Sequence, residues 1–366
     1  MAPKRIRVKA AVVRSVFGLP KPVRRFLAGP PLRIDGQEMA LDAQLAIALK
    51  NRSGSDVFDG AVEEARARYD ELPSLIGYDS PVPVATREIA IPAEHGEVPA
   101  TLYTPADVPE PSGLLVYFHG GGFSVGSRLS HDPIARYLAS HAGARVLSVE
   151  YRRAPEHQFP APVDDALAAF EYARDHACDL GADPAHIAVG GDSAGGNLAA
   201  VTAQQGARRG GVAPSFQLLM YPATDLSTRR PSRDLFATGS TFTDRNLQWV
   251  MANYIPGGTD LKDPRLSPQH GDVTGSPPAY IASAGFDPVR DDGEAYAEKL
   301  RAGGIPVALN RQADLPHGYL NFVGLGGRFA EAASEAAGAL RLGLAVGSGL
   351  STQRRAGELV GIGDIP

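Results

Sequence analysis

The chain has 366 residues, 43% of them hydrophobic and 21% charged, with a net charge of −5. That balance supplies enough apolar material for a sizeable core and excludes disordered and fibrous classes. Mild acidity gives no electrostatic basis for nucleic acid as a partner.

Taken in chain order, the first 34 residues carry Lys4, Arg5, Arg7, Lys9, Arg14, Lys21, Arg24, Arg25 and Arg33 and no acid. Val12, Val16, Phe17, Val23, Phe26 and Leu27 are interleaved with them, so residues 1–34 read either as a peripheral membrane contact drawn to anionic lipid or as a cap over a site. Pro20, Pro22, Pro30 and Pro31 interrupt any long helix there. Residues 38–77 follow a helical pattern, with Leu41, Leu45, Ile47 and Leu49, then Val62, Ala65, Tyr69 and Leu72, at apolar positions suited to a lid. Residues 1–85 are therefore expected as an N-terminal cap segment.

Extended or buried-strand runs follow at 87–91, 98–103, 114–118, 145–151, 187–189, 217–221, 279–284 and 307–309. Helical patterns separate most of them, which predicts an α/β fold: a mostly parallel eight-stranded sheet with helices on both faces over residues 86–345. Near 225–265 the strand spacing widens, and Phe236, Phe242, Trp249, Met251 and Tyr254 mark an insertion that completes a helical cap. Those aromatics either line a pocket or pack within their own domain. Gly347, Ser348 and Gly349 open a polar stretch, 346–366, expected as a disordered tail.

The single cysteine, Cys178, excludes an intrachain disulfide, and no Cys/His group has zinc spacing, so neither metal nor cofactor is expected. Cys178 closes a helical pattern and reads as a half-buried structural thiol. No apolar run is long enough to span a bilayer, and the N-terminus lacks the apolar region and cleavage site of a secretory signal. A cytoplasmic or membrane-peripheral protein is the expectation.

Four pieces of chemistry then fall in order along the chain. His119-Gly120-Gly121-Gly122-Phe123 places glycines where backbone N–H groups can approach an oxyanion without obstruction. Ser193 sits in Gly191-Asp192-Ser193-Ala194-Gly195, between the apolar run 187–189 and a helical pattern, which is the strand, sharp turn and helix context of a nucleophile elbow. A serine hydroxyl needs a base, and the base an orienting carboxylate. Elbow architectures supply these in the order Ser, Asp or Glu, His. His317 is the one histidine beyond Asp287. Asp287 follows the apolar run 279–284 at the expected C-terminal edge of a parallel strand, where open α/β sheets gather functional groups. Asp291 and Asp292 suit a helix start instead, and Asp314 is the remaining rival. Gly121, Gly122 and Ala194 are the expected oxyanion donors, with His119 holding the loop.

These motifs resemble those of the bacterial hormone-sensitive-lipase-like esterases, family IV of the α/β-hydrolase superfamily. The resemblance runs from about residue 86 to 340 and is carried by HGGGF, by GDSAGGN from Gly191 to Asn197, by Tyr151 to His157 with Phe159 to Pro162, and by Asp287 to Asp291. Tyr221-Pro222 and the stretch from Asp263 to Pro268 also match and read as structural, while Val289 stands where that family usually has leucine. Carried over, the pattern implies Ser193 as nucleophile, Asp287 as orienting acid, His317 as base, and Gly121, Gly122 and Ala194 as oxyanion hole. It implies a carboxylic ester hydrolase for short to medium acyl chains, acting through a covalent acyl-enzyme on a small-molecule ester, and a homodimer. An amidase or thioesterase would use the same triad. A non-catalytic ligand binder, as in this family's plant gibberellin receptors, would lack the complete triad.

Overall fold

The computed structural model describes residues 4–54, 56–208 and 213–360, with side chains over 10–345 apart from 53, 55 and 209–212. Two helices, α1 (Lys4–Phe17) and α2 (Lys21–Ala28), open the chain. Pro22 falls in the first turn of α2, where its missing N–H breaks no helical bond, and Gly29 at φ 85° ends the helix. A two-residue ladder, β1 (Arg33–Ile34) against β2 (Gln37–Glu38), leads into α3 (Leu41–Ser53), α4 (Val62–Asp70) and α5 (Leu72–Ile76). Helices α3 to α5 fall within residues 38–77, where the sequence pattern is helical.

The main sheet is built from β3 (Val84–Ala93), β4 (Gly96–Pro105), β5 (Ser112–Phe118), β6 (Arg145–Val149), β7 (Ala182–Asp192), β8 (Gln217–Met220), β9 (Ala279–Phe286) and β10 (Val307–Pro316). Their spatial order is β3-β4-β6-β5-β7-β8-β9-β10. Strand β4 is antiparallel to β3 and β6, and the other neighbours are parallel. All eight expected strands are present. Strand β10 runs well past the predicted 307–309 because it is an edge strand, so Asn310 and Arg311 keep a wet side while the backbone pairs with β9.

Helices α6 (Asp132–Ala142), α7 (Ala161–Asp175), α8 (Ala194–Arg208), α9 (Pro231–Leu235), α10 (Asp244–Tyr254), α11 (Arg290–Ala302) and α12 (Gly327–Val360) complete the order. The two-residue period of a strand divides β5 between two cores. Leu114, Val116 and Phe118 pack with Phe170 of α7, Leu198 of α8 and Tyr296 of α11. Leu115 and Tyr117 face the other way, toward Tyr137 of α6 and Phe329 and Leu340 of α12. Each fully buried apolar side chain of this kind contributes about 1.5–3 kcal/mol.

Two details depart from the sequence reading. The backbone of α12 continues to Val360, through much of the stretch expected as a tail, and residues 361–366 lie outside the described residues. Cys178 begins a 3-10 turn beyond α7 and is exposed, because Ala177 and Leu180 on either side fill the interior in its place.

Helices α9 and α10 lie between β8 and β9 in the chain, and α10 meets the N-terminal segment. Ala65 and Tyr69 of α4 pack with Val125, Phe58, Leu72 and Trp249. Among the described residues, no helix is long and apolar enough to cross a membrane.

Candidate active site

Strand β7 ends at Asp192 and helix α8 begins at Ala194, leaving Ser193 alone at the turn with φ 55°. A non-glycine residue in the left-handed region is strained and persists only where its surroundings hold it. The hold is steric. A Cβ on Gly191 would sit 2.4 Å from the Phe118 carbonyl oxygen, and one on Gly195 only 1.8 Å from that same atom. Larger residues there would push the elbow off β5.

Asp287 is the first residue past β9, and His317 the first past β10. Both are buried. The His317 imidazole bridges them: Nδ1 lies 2.7 Å from Asp287 Oδ2, and Nε2 lies 2.8 Å from Ser193 Oγ. With its proton on Nδ1, the neutral ring donates to the carboxylate and turns an acceptor lone pair toward the serine hydroxyl. The second carboxylate oxygen, Oδ1, accepts the Val289 N–H at 2.9 Å, which fixes the plane of the group. Phe242 stacks on the imidazole with centroids 4.7 Å apart, and Tyr221 lies at 4.9 Å.

The rival acids are engaged elsewhere. Asp291 accepts from the Ser232 N–H and pairs with Arg290. Asp314 pairs with Arg328 at 3.0 Å. Asp292 is buried beside Arg233 and Arg230, and burial pushes its carboxyl well above the ordinary value. His270, the other histidine after Ser193, meets Ser227 and Asp225.

The glycine loop leaves β5 beside the elbow. Gly121 has φ 117° and Gly122 φ 59°, conformations that favour glycine. Among the described residues, the N–H groups of Gly121, Gly122 and Ala194 donate to no backbone carbonyl. Buried His119 stacks on Tyr151 with centroids 4.2 Å apart, and the Tyr151 hydroxyl donates to the His119 carbonyl at 2.7 Å. Burial pushes the imidazole well below its ordinary pKa, which keeps it a neutral brace for the loop.

Asp192, to which the sequence motifs give no role, joins loop and elbow through its carboxylate. It accepts the Gly120 N–H at 2.9 Å and the Tyr117 hydroxyl at 2.6 Å, with His131 at 3.5 Å. Burial works against its charge, but His131 beside it and the bonds from Tyr117 and Gly120 hold the carboxyl below the ordinary value. The signal in the sequence is an acid inside the turn motif directly before Ser193, since a carboxylate at a turn packed into the core requires partners.

A cavity of about 160 Å3 opens over Ser193 and His317, lined by Phe58, Tyr69, Leu72, Phe242 and Phe322 among others. Of the insertion's aromatics, Phe242 faces this cavity. Phe236 packs on Phe286, Tyr254 on Phe123, and Trp249 edge-on to Phe58. A wider surface groove of about 940 Å3, near His95, Arg152, Asp164 and Tyr172, includes none of the triad.

Comparison with known proteins bears on the family and the fold. A family model described as the alpha/beta hydrolase fold matches residues 115–321. The carboxylic ester hydrolase LipN of Mycobacterium tuberculosis is 40% identical over 333 residues, covering 88% of each chain. The carboxylesterase NlhH of the same organism is 42% identical over 253 residues, covering 68% of this chain and 79% of its own. Among solved structures, an ester hydrolase from the metagenome of Lake Arreo superimposes with a TM-score of 0.80 at 35% identity, covering 83% of this chain and 98% of its own. From elbow, sheet order and these matches together, the chain belongs to the hormone-sensitive-lipase-like family of α/β-hydrolases.

Proposed function

We propose that this chain is a serine carboxylesterase that hydrolyses esters of short to medium acyl chain through a covalent acyl-enzyme. The observation that carries the reading is the unbroken line Ser193 Oγ, His317 Nε2, His317 Nδ1, Asp287 Oδ2, with contacts of 2.8 and 2.7 Å. Ser193 attacks the ester carbonyl carbon as His317 takes its proton on Nε2. The carbonyl oxygen gathers charge beside the N–H groups of Gly121, Gly122 and Ala194. His317 returns the proton to the departing alcohol oxygen, which breaks the C–O bond. Water, deprotonated by the same nitrogen, then attacks the acyl carbon and frees Ser193. Asp287 stays ionised and stabilises the imidazolium.

A cavity of about 160 Å3 supports a small acyl group, since it falls below the roughly 300–1,000 Å3 of drug-sized sites. The test is Ser193→Ala with p-nitrophenyl butyrate. The reading expects kcat to fall about 10⁴-fold or more with the fold retained; unchanged turnover would refute the nucleophile assignment.

We also propose that the N-terminal helices dock on an anionic membrane surface. Phe26 is 84% exposed and Val23 42% on α2, beside exposed Lys21, in a segment without acids. This combination suits an interface rich in anionic lipid. Co-sedimentation with phosphatidylglycerol-containing vesicles should retain the intact chain and release a chain lacking residues 1–34; equal partition ends the proposal. The homodimer implied by the resemblance has apolar surface available where exposed Leu342 on α12 flanks β10. Light scattering reads it directly, and a monomer mass ends that expectation.

A further inference from the structure

We propose that residues 240–242, gripped by Lys50 from the N-terminal cap segment, act as a positioning clip that sets His317 and Asp287 for catalysis. The clip rests on the triad reading above and adds to it a coupling between cap and triad.

Three consecutive residues in the irregular stretch between α9 and α10 reach both catalytic loops. The Ser240 hydroxyl donates to the Phe286 carbonyl at 2.7 Å, one residue before Asp287. The Thr241 hydroxyl donates to the carbonyl of His317 itself at 2.5 Å. Phe242 covers the imidazole face, its ring 28° from parallel. Two hydroxyls and a ring therefore restrain base and acid from one short segment.

That segment is itself held at both sides. Downstream, Thr243 and Asn246 form a reciprocal capping box that fixes the start of α10. Across the cavity, Lys50 Nζ on α3 donates to the Thr241 carbonyl at 2.9 Å and pairs with Asp56 at 3.2 Å. Asp56 in turn accepts the Phe58 N–H, and the Phe58 ring meets Phe242 edge-on with centroids 5.3 Å apart. The cap thus touches Thr241 and Phe242 by independent routes, one polar and one aromatic.

The bland alternative is that Lys50 and Thr241 merely satisfy carbonyls, which would affect stability and leave turnover alone. Positioning makes a different demand, because a displacement of about 1 Å at reacting groups can cost about 10²-fold in rate.

The test compares Lys50→Met and Thr241→Val, which keep approximate volume but remove the donor, with Lys50→Arg and Thr241→Ser, which keep it. Readouts are kcat and KM for p-nitrophenyl butyrate, and the low-field proton resonance of the His317 Nδ1–H in the free enzyme. The clip expects Lys50→Met and Thr241→Val to lower kcat about 10–100-fold with KM nearly constant, to shift or broaden that resonance, and to be largely rescued by the donor-retaining pair. Ser240→Ala, which releases only the Phe286 carbonyl, is the further variant should one of these not fold, and its kcat should fall too. Wild-type kcat and an unmoved resonance, with only the melting temperature lowered, would overturn the clip, as would a rise confined to KM. Turnover surviving Ser193→Ala would instead sink the triad reading; an inactive Ser193→Ala beside fully active clip variants sinks the clip alone.

Discussion

Asp287→Asn probes the electrostatic logic of the site without changing its shape. Asp287 Oδ1 is committed to the Val289 N–H and Oδ2 to His317 Nδ1. An asparagine in this place puts its carbonyl oxygen on the Val289 donor, so its NH2 faces Nδ1. The imidazole must then accept at Nδ1 and carry its proton on Nε2, where it points at Ser193 Oγ as a donor and cannot serve as a base. A wrongly held tautomer of this kind costs about 10⁴-fold in kcat, which corresponds to about 5.4 kcal/mol of lost transition-state stabilisation. The assay is p-nitrophenyl butyrate hydrolysis, with circular dichroism to verify the fold. A loss below about tenfold, or a larger loss from Asp291→Asn or Asp314→Asn, would refute the assignment of the acid.

Other consequences follow from single contacts. Gly121→Ala places a Cβ 2.2 Å from the Val125 carbonyl oxygen at φ +117°, so the loop must shift and kcat should fall about 10²–10³-fold; a kcat equal to wild type would remove this loop from the oxyanion hole. Phe242→Ala deletes a buried ring and should cost about 3–5 kcal/mol in denaturant unfolding, while the enlarged cavity should move preference toward longer acyl esters; an unchanged chain-length profile would show that this ring does not limit the pocket. Burial works against the charge of Asp225, yet hydrogen bonds from Ser227 and Thr228 and the nearby His270 lower its carboxyl to about 2 from an ordinary 3.8. A carboxyl depressed on folding stabilises above the unfolded value and loses that contribution as pH falls through the folded one. Asp225→Asn should therefore flatten the decline in stability between about pH 4 and pH 2; the wild-type slope in the variant would contradict it.

Much of this could be read from residue order alone. The eight strands were legible as apolar runs, and the elbow as small residues flanking Ser193 between a strand and a helix pattern. Chain order singled out His317, but Asp287 stood among rivals that differ only in their three-dimensional partners, Arg290 for Asp291 and Arg328 for Asp314. The supports were hidden for the same reason. Nothing local marks Tyr117 as the partner of Asp192, 75 residues away, or Lys50 as the partner of Thr241, 191 residues away. Phe242 and Trp249 look alike in sequence and both meet Phe58, yet Phe242 lines the cavity from the irregular stretch before α10 while Trp249 sits on the helix outside the lining, a difference that tertiary docking decides.

The central claim is that the Ser193 oxygen becomes covalently attached to the substrate's electrophilic atom. Inactivation by an alkyl phosphonate ester, followed by peptide mass spectrometry, tests it most directly. The account predicts one stoichiometric phosphonyl adduct on Ser193, appearing in step with loss of esterase activity. Inactivation with Ser193 unmodified, or an adduct on another residue that tracks the loss, would contradict it.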